Sequence, residues 1–332
     1  MRVLVRDIDI TDFVESVVNE GHSEKPNRAL ILTLKNTING RTKAFAINNS
    51  EVVQFYDGTV RIFVGVVFNT VINESGDMTV TCYDRNYYTL KSTTSRQFKN
   101  KKASDIIKQL ATDFGIPVGT IEDTGFVIPT LILRNHSLYD MMLKALVITK
   151  KQTGKRFFFG SENGKLTIKQ HKNNVTPWIL AAGSNLISAS YSVSIEDTKT
   201  QVQVTGGKDN KFTHTVKSAN TQKLYGIMQH YEEMDEKSTS SQVKQRAETL
   251  LKEMAVINDQ ADVSAIGING VVTGCGVYIR EPMTGLAGGY YVTSDSHTYA
   301  SSGHTMQLEI SKSLEMPTIE ISDEELGIDD KQ

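Results

Sequence analysis

A long run of alternating apolar residues near the N-terminal end constrains the fold of this chain more than any other feature. Every second residue from Val60 to Phe68 is apolar, and most of the residues between them are apolar too. Such a strand is covered on both faces along much of its length. Turn-forming residues follow at Asn73 to Asp77, and alternation resumes from Met78 to Cys82, which predicts a β-hairpin. Ala29 to Lys35 is a further short strand candidate.

The spacing of the apolar residues becomes that of a helix after residue 96. From Ala103 to Phe114, apolar side chains recur three and four residues apart, so they form one face of a helix. Ser104 or a neighbour is placed to cap this helix, and Gly115 followed by Pro117 ends it.

A second helix and a hairpin complete this region. Ser137 with Asp140 three residues later is a capping-box-like start, and Gly154 ends the helix. The dipeptide Asn163-Gly164 is a strong signal for a two-residue hairpin turn. Residues 96–177, which we call the insert, are therefore predicted to form a small α+β unit of two helices and a hairpin.

The C-terminal half returns mainly to strands. Apolar residues alternate with serines from Ile187 to Ile195, which predicts a strand with one buried face and a hydroxyl-lined outer face. A helix is predicted over residues 241–257, led by Ser240 or Ser241, and strands over residues 262–268, 277–280, 290–299 and 305–311. The acidic stretch from Glu320 to Asp330 is predicted to be disordered, and a free tail is favoured over the alternative that it docks a partner. The predicted polar strand faces contain Ser188, Ser190, Ser192, Ser194, Thr305, Gln307 and Glu309.

The two ends of the chain share a strand, turn and strand pattern. The stretches Phe63 to Cys82 and Tyr291 to Ile310 both have it, with almost no identity between them. The pattern is compatible with two copies of one β-domain, one near each end of the chain. An offset of 228 residues superimposes three positions: Met78 on Met306, Val80 on Leu308 and Cys82 on Ile310.

Composition excludes several classes of protein. With 36 Lys and Arg against 38 Asp and Glu, the net charge of −2 disfavours a nucleic-acid binder or an anionic-membrane binder. The two cysteines, Cys82 and Cys275, exclude a disulfide framework and a cysteine-type zinc site. Met1 to Asp12 lacks a signal-peptide pattern, and no apolar run approaches the length of a spanning helix. We expect a soluble protein that is made in a cytoplasm and not secreted, and the 332 residues suggest about two domains.

No catalytic, cofactor or metal motif stands out, so we predict no enzyme, no cofactor and no metal site. His297 and His304 flank a turn and are interpreted as surface histidines at strand ends rather than as metal ligands. The glycines near residues 206 and 288 precede strands and do not form a phosphate loop. The carboxylate pairs Glu232-Glu233 and Glu324-Glu325 are adjacent in sequence, and a glycoside hydrolase is the less favoured interpretation of them. Lys99, Lys101 and Lys102 are interpreted as a solvated face, with contact to an acidic partner as the alternative. The aromatic clusters Tyr87-Tyr88 and Phe157-Phe158-Phe159 are interpreted as core or interface, with sugar platforms as the alternative.

Residues 102–121 resemble the opening helix of a LysM peptidoglycan-binding module, although the second half of such a module is not evident.

A broader resemblance covers nearly the whole chain. Three stretches and the helix over residues 241–257 resemble, in order and spacing, the baseplate hub proteins of contractile phage tails, of the XkdQ/YqbQ type found in PBSX-like prophages and related to late control protein D. The stretches are SRQFKNKKASDIIKQLATDFGIPVGTIEDTG with SLYDMMLKAL, GKRFFFGSENGKLTIKQ, and GGYYVTSDSHTYASSGHTMQLEI.

This resemblance implies a structural role. Family hubs are homotrimers in which each chain contributes two tube-like β-domains, so that three chains form a ring that matches the hexameric tail tube above and a trimeric spike below. It implies a mainly β, α+β fold with two tube-type, barrel-like domains, the insert and an outer helix. Partners would be a second and third copy, the tube protein, the central spike, and other baseplate and wedge proteins. The family offers no catalytic residues to carry over, and its location is the tail baseplate of a phage or a tailocin-like particle.

Domain limits follow from this layout. Residues 1–95 with 178–206 are predicted as the first tube domain, 96–177 as the insert, 207–317 as the second tube domain and 318–332 as an acidic tail. The polar faces would suit a wetted lumen or a surface between subunits, and the sequence leaves both open. Partner-binding residues remain unassigned. The alternatives are a peptidoglycan- or glycan-binding module and, less favoured, a cell-wall hydrolase of the same particle.

Overall fold

The chain has a mainly β, α+β fold, as the sequence predicts. A computed structural model describes residues 1–171 and 174–328, with 49% of the chain in strands and 19% in helices. The helices are α1 (Tyr88–Lys91), α2 (Ala103–Asp113), α3 (Leu138–Thr153), α4 (Ala219–Tyr225) and α5 (Ser240–Met254).

The strands of the N-terminal half and the insert are β1 (Arg2–Val5), β2 (Ile8–Asp9), β3 (Val14–His22), β4 (Arg28–Lys35), β5 (Val52–Asp57), β6 (Val60–Ile72), β7 (Asp77–Tyr83), β8 (Thr93–Lys102), β9 (Val118–Ile121), β10 (Val127–Ser137), β11 (Phe157–Glu162) and β12 (Lys165–Gln170). The remaining strands are β13 (Val175–Ala181), β14 (Leu186–Ser194), β15 (Gln201–Gly206), β16 (Phe212–Lys217), β17 (Gln229–Glu233), β18 (Asn258–Ile266), β19 (Gly276–Glu281), β20 (Leu286–Ala300) and β21 (Gly303–Ser311).

One sheet of 13 strands joins both ends of the chain. Its main order is β14-β18-β21-β20-β3-β4-β7-β6-β5-β1-β2, and β19 pairs with both β20 and β13. The hairpins β6–β7 and β20–β21 carry the repeated sequence pattern, and the three superimposed positions are buried in both. Among the described residues the strand order does not return to its first strand, so no closed barrel is present and the predicted barrel-like domains are not seen within one chain.

The insert has its own core and packs with the large sheet in one compact unit of residues 1–190 and 262 onward. Strands β8 and β10 form a two-stranded sheet, and β9, β11 and β12 form a three-stranded one. The turn at Asn163 and Gly164 has positive φ at both residues, as the Asn-Gly signal predicts.

The caps of the insert helices follow the prediction with one correction. The hydroxyl of Ser137 accepts a hydrogen bond from the Asp140 N–H, and Gly154 ends α3 in the left-handed conformation. Ser104 does not cap α2. Its own N–H instead donates to the hydroxyl of Thr124, a residue of a distant loop, so this helix start is stabilised by a tertiary contact that local sequence does not reveal.

The acidic C-terminal stretch is not free, which corrects the prediction. Leu314 and Met316 are buried in the core of the insert, and Ile319, Ile321 and Leu326 pack against it. Acidic composition alone predicted disorder, but the aliphatic residues between the acidic ones supply enough apolar contact to hold the segment. The last two acidic positions, Asp329 and Asp330, lie outside the described residues.

A second compact unit comprises residues 191–261. Its three-stranded sheet, in the order β16-β15-β17, packs against α5 through Val202, Val204, Val243, Ala247 and Leu250. The helix starts at Ser240 after Thr239, whose side chain forms a capping box with Gln242, and ends at Met254 rather than at residue 257. The predicted limits of two tube-type domains differ from this division and remain a prediction. In the described part of the chain, no helix is long and apolar enough to cross a membrane.

Candidate assembly surface

One groove brings together polar residues that the sequence placed on separate strands. Ser188 and Ser190 of β14 line it with Gln307 and Glu309 of β21. Residues of β18 and β20 complete a groove of about 380 Å³: Asp262, Ser264, Ser294 and Ser296. The two predicted polar strand faces are therefore parts of one sheet face, which we call the polar face.

The polar face continues across the large sheet. Residues directly opposite one another on neighbouring strands share a face. The register gives such a row across six strands: Thr305, Thr298, Val18, Ile31, Thr81 and Asn69. The side chains of this row are half-buried or exposed, whereas Met306, Leu308 and Ile310 point to the other side and are buried, as predicted. With β14 and β18, the polar face thus spans eight strands.

Both ends of the eight-strand face are unpaired in the described chain. β14 lies at the end of the strand order with β18 as its single strand neighbour. β6 pairs with β5 through residues 60–66, so its final part, from Asn69 to Ile72, has a partner only in β7. An unpaired strand edge offers backbone donors and acceptors to another strand.

Apolar side chains are exposed beside one of these edges, which corrects a prediction. Ile187 and Val193 of β14 were expected to be buried and are instead 58% and 57% exposed. The reason is that β14 is an edge strand, and apolar alternation along a strand does not by itself show that its apolar side is covered. On β13 and β19, Ile179 and Tyr278 are register partners and are exposed together, next to exposed Trp178. Clusters of exposed apolar residues at a sheet edge are typical of subunit contacts.

A buried ion pair links the N-terminal strands to the C-terminal hairpin. The Arg28 guanidinium of β4 donates to both carboxylate oxygens of Asp295 on β20, at 2.9 and 2.5 Å. Asp295 also accepts from the N–H and hydroxyl of Thr273, and Arg28 donates to the Asn19 side chain. Burial acts to raise the pKa of Asp295, but the charge and hydrogen bonds of Arg28 outweigh burial and hold it below its usual value.

His297 is buried and His304 is half-buried, contrary to the expectation of surface histidines. His297 is 2% exposed, and its Nδ1 lies 2.9 Å from Nε2 of His304. Burial lowers the pKa of His297 and lowers that of His304 to about 4, so both rings are neutral at neutral pH. His304 also stacks on the Tyr299 ring. Across the described residues, no group of three or more His, Cys, Asp or Glu side chains is placed to hold a metal ion.

The other sequence candidates do not converge on a catalytic site in the described structure. Glu232 pairs with Arg246, whereas Glu233 accepts from Asn210. Phe157 and Phe158 are buried in the insert core, so neither ring offers a platform for a sugar. Lys102 pairs with Asp123.

Two features of the structure were not predicted from the sequence. One is the Arg28–Asp295 pair, whose partners are separated by most of the chain. The other is Lys144, a buried lysine on α3 that contacts Glu325. A lysine within the apolar run MMLKALVI is a signal for the second.

Comparison with known proteins decides the family. A model of the YQBQ-like family matches residues 20–311. The phage-like element PBSX protein XkdQ of Bacillus subtilis strain 168 is 32% identical over 318 residues, which cover 95% of this chain and 97% of XkdQ. This chain belongs to the YQBQ-like family. A second member, the uncharacterized protein YqbQ of the same strain, is 33% identical and covers 91% of this chain and 93% of its own length. The resemblance drawn from the sequence is confirmed.

Solved structures show that the YQBQ-like fold is shared more widely. The 43 kDa tail protein of prophage MuSo2 from Shewanella oneidensis has a TM-score of 0.70 at 15% identity, covering 94% of this chain and 97% of its own. The Escherichia coli c3393 protein, described as a type VI secretion component similar to the T4 tail proteins gp27 and gp5, has a TM-score of 0.57 at 8% identity. It covers 97% of this chain and 80% of its own.

Proposed function

We propose that this chain is a non-enzymatic structural subunit of a phage-type tail, and that it forms the hub ring of the baseplate. The observation that carries the proposal is the eight-strand polar face with an unpaired edge at each end. An open sheet of this kind closes when the edge of one copy pairs with the edge of the next. The named relatives support the setting, because they belong to a phage-like element and to prophage tails.

In the proposed ring, three copies join head to tail, β14 of one copy beside the end of β6 in the next. A contact between two different patches closes a ring when the rotation between copies is right. The polar face then lines a water-filled channel, since its hydroxyl and carboxylate side chains do not need burial. The exposed apolar residues of β13, β14 and β19 lie between copies or against other tail proteins, where their burial is favourable.

The ring would adapt a hexameric tube to a trimeric spike. The hairpins β6–β7 and β20–β21, with their matching buried positions, would provide two similar tube-facing elements in each copy, so that three copies present six. The proposed partners are the tube protein, the central spike, and other baseplate and wedge proteins. The proposed location is the baseplate of a phage or phage-like particle, and similarity to a structure described as gp27-like supports this arrangement.

Substitution at the proposed edge tests this function. Ile187→Arg places a charge on the exposed apolar side of β14, so ring formation should weaken by about 100-fold while the fold of the chain is kept. Val127→Arg is the matched control, because Val127 is an apolar strand residue that is 45% exposed, and its strand β10 forms neither of the two proposed edges. Electron microscopy of the purified chains should show rings for the unmodified chain and the control only. Rings formed equally well by Ile187→Arg would refute the proposed edge.

A further inference from the structure

The near-neutral net charge of the chain conceals a strong local asymmetry. The insert contains 14 Lys and Arg residues against 6 Asp and Glu. Residues 318–328, which we call the strap, contain four acidic residues and no lysine or arginine. The strap follows the anchors Leu314 and Met316 and lies on the insert. A basic surface and an acidic segment are complementary, so charge favours their association.

The contact centres on Glu325 and a buried lysine. Lys144 is 5% exposed, and its Nζ lies 2.5 Å from Oε1 of Glu325. Nε2 of His136 lies 2.9 Å from the same oxygen. The Ile132 N–H of β10 donates to the backbone carbonyl of Glu325 at 2.7 Å. The site therefore recognises both the carboxylate and the backbone of one acidic residue.

The strap presents this glutamate in a fixed geometry. The second carboxylate oxygen of Glu325 accepts from the Ser322 N–H, and the Ser322 hydroxyl accepts from the Glu325 N–H. These reciprocal bonds have the form of a capping box and hold one tight turn. Beside Glu325, the exposed carboxylate of Glu324 pairs with Arg134. Leu326 adds an apolar contact with the insert.

The burial of Lys144 beneath the strap favours a carboxylate at this site. A buried ammonium without a partner is strongly unfavourable, because it has lost water without gaining a counter-charge. Lys144 belongs to α3, which is buried on nearly every side by the insert core. Its carboxylate partner in this structure, Glu325, belongs to the strap and therefore comes from outside the insert.

The strap itself is separable from the core. The fully buried residues of the insert core include Leu314 and Met316 but none from residues 318–328. The strap also leaves a groove of about 600 Å³ unfilled, lined by Phe126, Ile128, Pro129, Ile148, Leu326 and Ile328. A segment with larger apolar side chains beside its glutamate would fill this groove better than the strap does.

We propose that the insert carries a binding site for an acidic peptide segment of a partner protein, and that the strap occupies this site until such a segment displaces it. Lys144 and His136 hold the carboxylate, Ile132 aligns the backbone, and the unfilled groove takes an apolar side chain. The recognised pattern is an acidic residue followed by an aliphatic one, as Glu325 and Leu326 provide in the strap. The proposal is independent of ring formation, because all of its residues lie in the insert and the strap.

A labelled peptide tests the site in the full-length chain. The probe is a fluorescent peptide with the sequence of residues 318–328, and binding is followed by anisotropy. A chain with Glu325→Ala and Leu326→Ala should bind it at least about tenfold more tightly than the unmodified chain, whose site is filled. A chain with Glu320→Ala is the matched control and should behave as the unmodified chain, since exposed Glu320 lies outside the site. Loss of saturable binding to the double variant would overturn the proposal.

Two further measurements test whether binding depends on the Glu325 carboxylate and whether the strap detaches from the insert. A peptide with Glu325→Gln should bind at least about tenfold more weakly, because a charged hydrogen bond to Lys144 is lost. Equal binding of both peptides would contradict the site.

If the double variant fails to fold, hydrogen exchange on the unmodified chain tests instead whether the strap detaches from the insert. The amides of Ile132 and Leu326 should then exchange together and at least about 100-fold faster than those of α3. Exchange as slow as that of α3 would show a strap that is never displaced.

Discussion

At the scale of single residues, the buried charged pairs are the features that the sequence did not predict. Arg28 and Asp295 are ordinary charged residues in sequence, and only their burial and pairing distinguish them. Lys144 was more accessible to prediction, since it interrupts an apolar run on a helix that has no polar side. Its partner Glu325 was not, because 181 residues separate the two. Burial of charge is set by tertiary contacts, which local patterns do not contain.

Removing Arg28 should destabilise the chain strongly. Arg28→Met leaves Asp295 buried beside the Thr273 contacts without its counter-charge, and the free energy of unfolding should fall by about 3–5 kcal/mol. Urea denaturation measures this loss. Arg2→Met is the control, because Arg2 pairs with Asp9 at the exposed surface and should cost less than about 1 kcal/mol. Equal losses for the two variants would contradict the role assigned to the buried pair.

His304 should make the chain sensitive to acid. Its pKa is lowered to about 4 by burial, whereas in the unfolded chain it has the usual value near 6.5. As the pH falls from 6.5 towards 4, the unfolded state takes up a proton that the folded state does not, so stability decreases over this window. Nuclear magnetic resonance of the His304 ring should give a midpoint near 4, and His304→Gln should lose less stability on acidification. A midpoint near 6.5 would show that the ring is not held neutral.

At the scale of elements, short-range signals were reliable where the interaction itself is short-range. The Ser137 cap, the Gly154 stop and the Asn163-Gly164 turn all lie where the sequence places them. The burial of β14 was predicted wrongly, because alternation shows that a strand has an apolar side but not which chain covers it. The predicted cap of α2 was wrong for a similar reason, because the hydroxyl that accepts from the Ser104 N–H belongs to Thr124, which lies in a loop outside the helix.

The turn at Gly164 offers an element-scale test. Gly164 has φ +72°, and a Cβ placed there would lie 2.8 Å from the Val64 carbonyl oxygen of β6. Gly164→Ala should therefore add a steric clash to the cost of left-handed backbone. Gly183 has φ +77° with open space around it, so Gly183→Ala is the matched control. Thermal unfolding should show Gly164→Ala less stable than the control by at least about 1 kcal/mol. Equal stability would mean that the hairpin tip does not rest on β6.

At the scale of the whole molecule, the sequence indicated the parts more clearly than their connection. Both hairpins and the insert were predicted, but β20 pairs with β3, which joins strands nearly 280 residues apart into one sheet. Such pairing depends on contacts that no local window records. The same sheet leaves one edge at β14 and another at the end of β6, and these edges motivate the proposed ring of three copies.

The mass of the purified chain in solution tests that central claim most directly. Light scattering after size exclusion, over a concentration series, should give a stable species of three times 36.8 kDa. Ring closure adds a contact for every copy, so the trimer should form without a large population of dimers. A chain that remains a monomer at every concentration, with its apolar β14 side exposed, would contradict the hub ring.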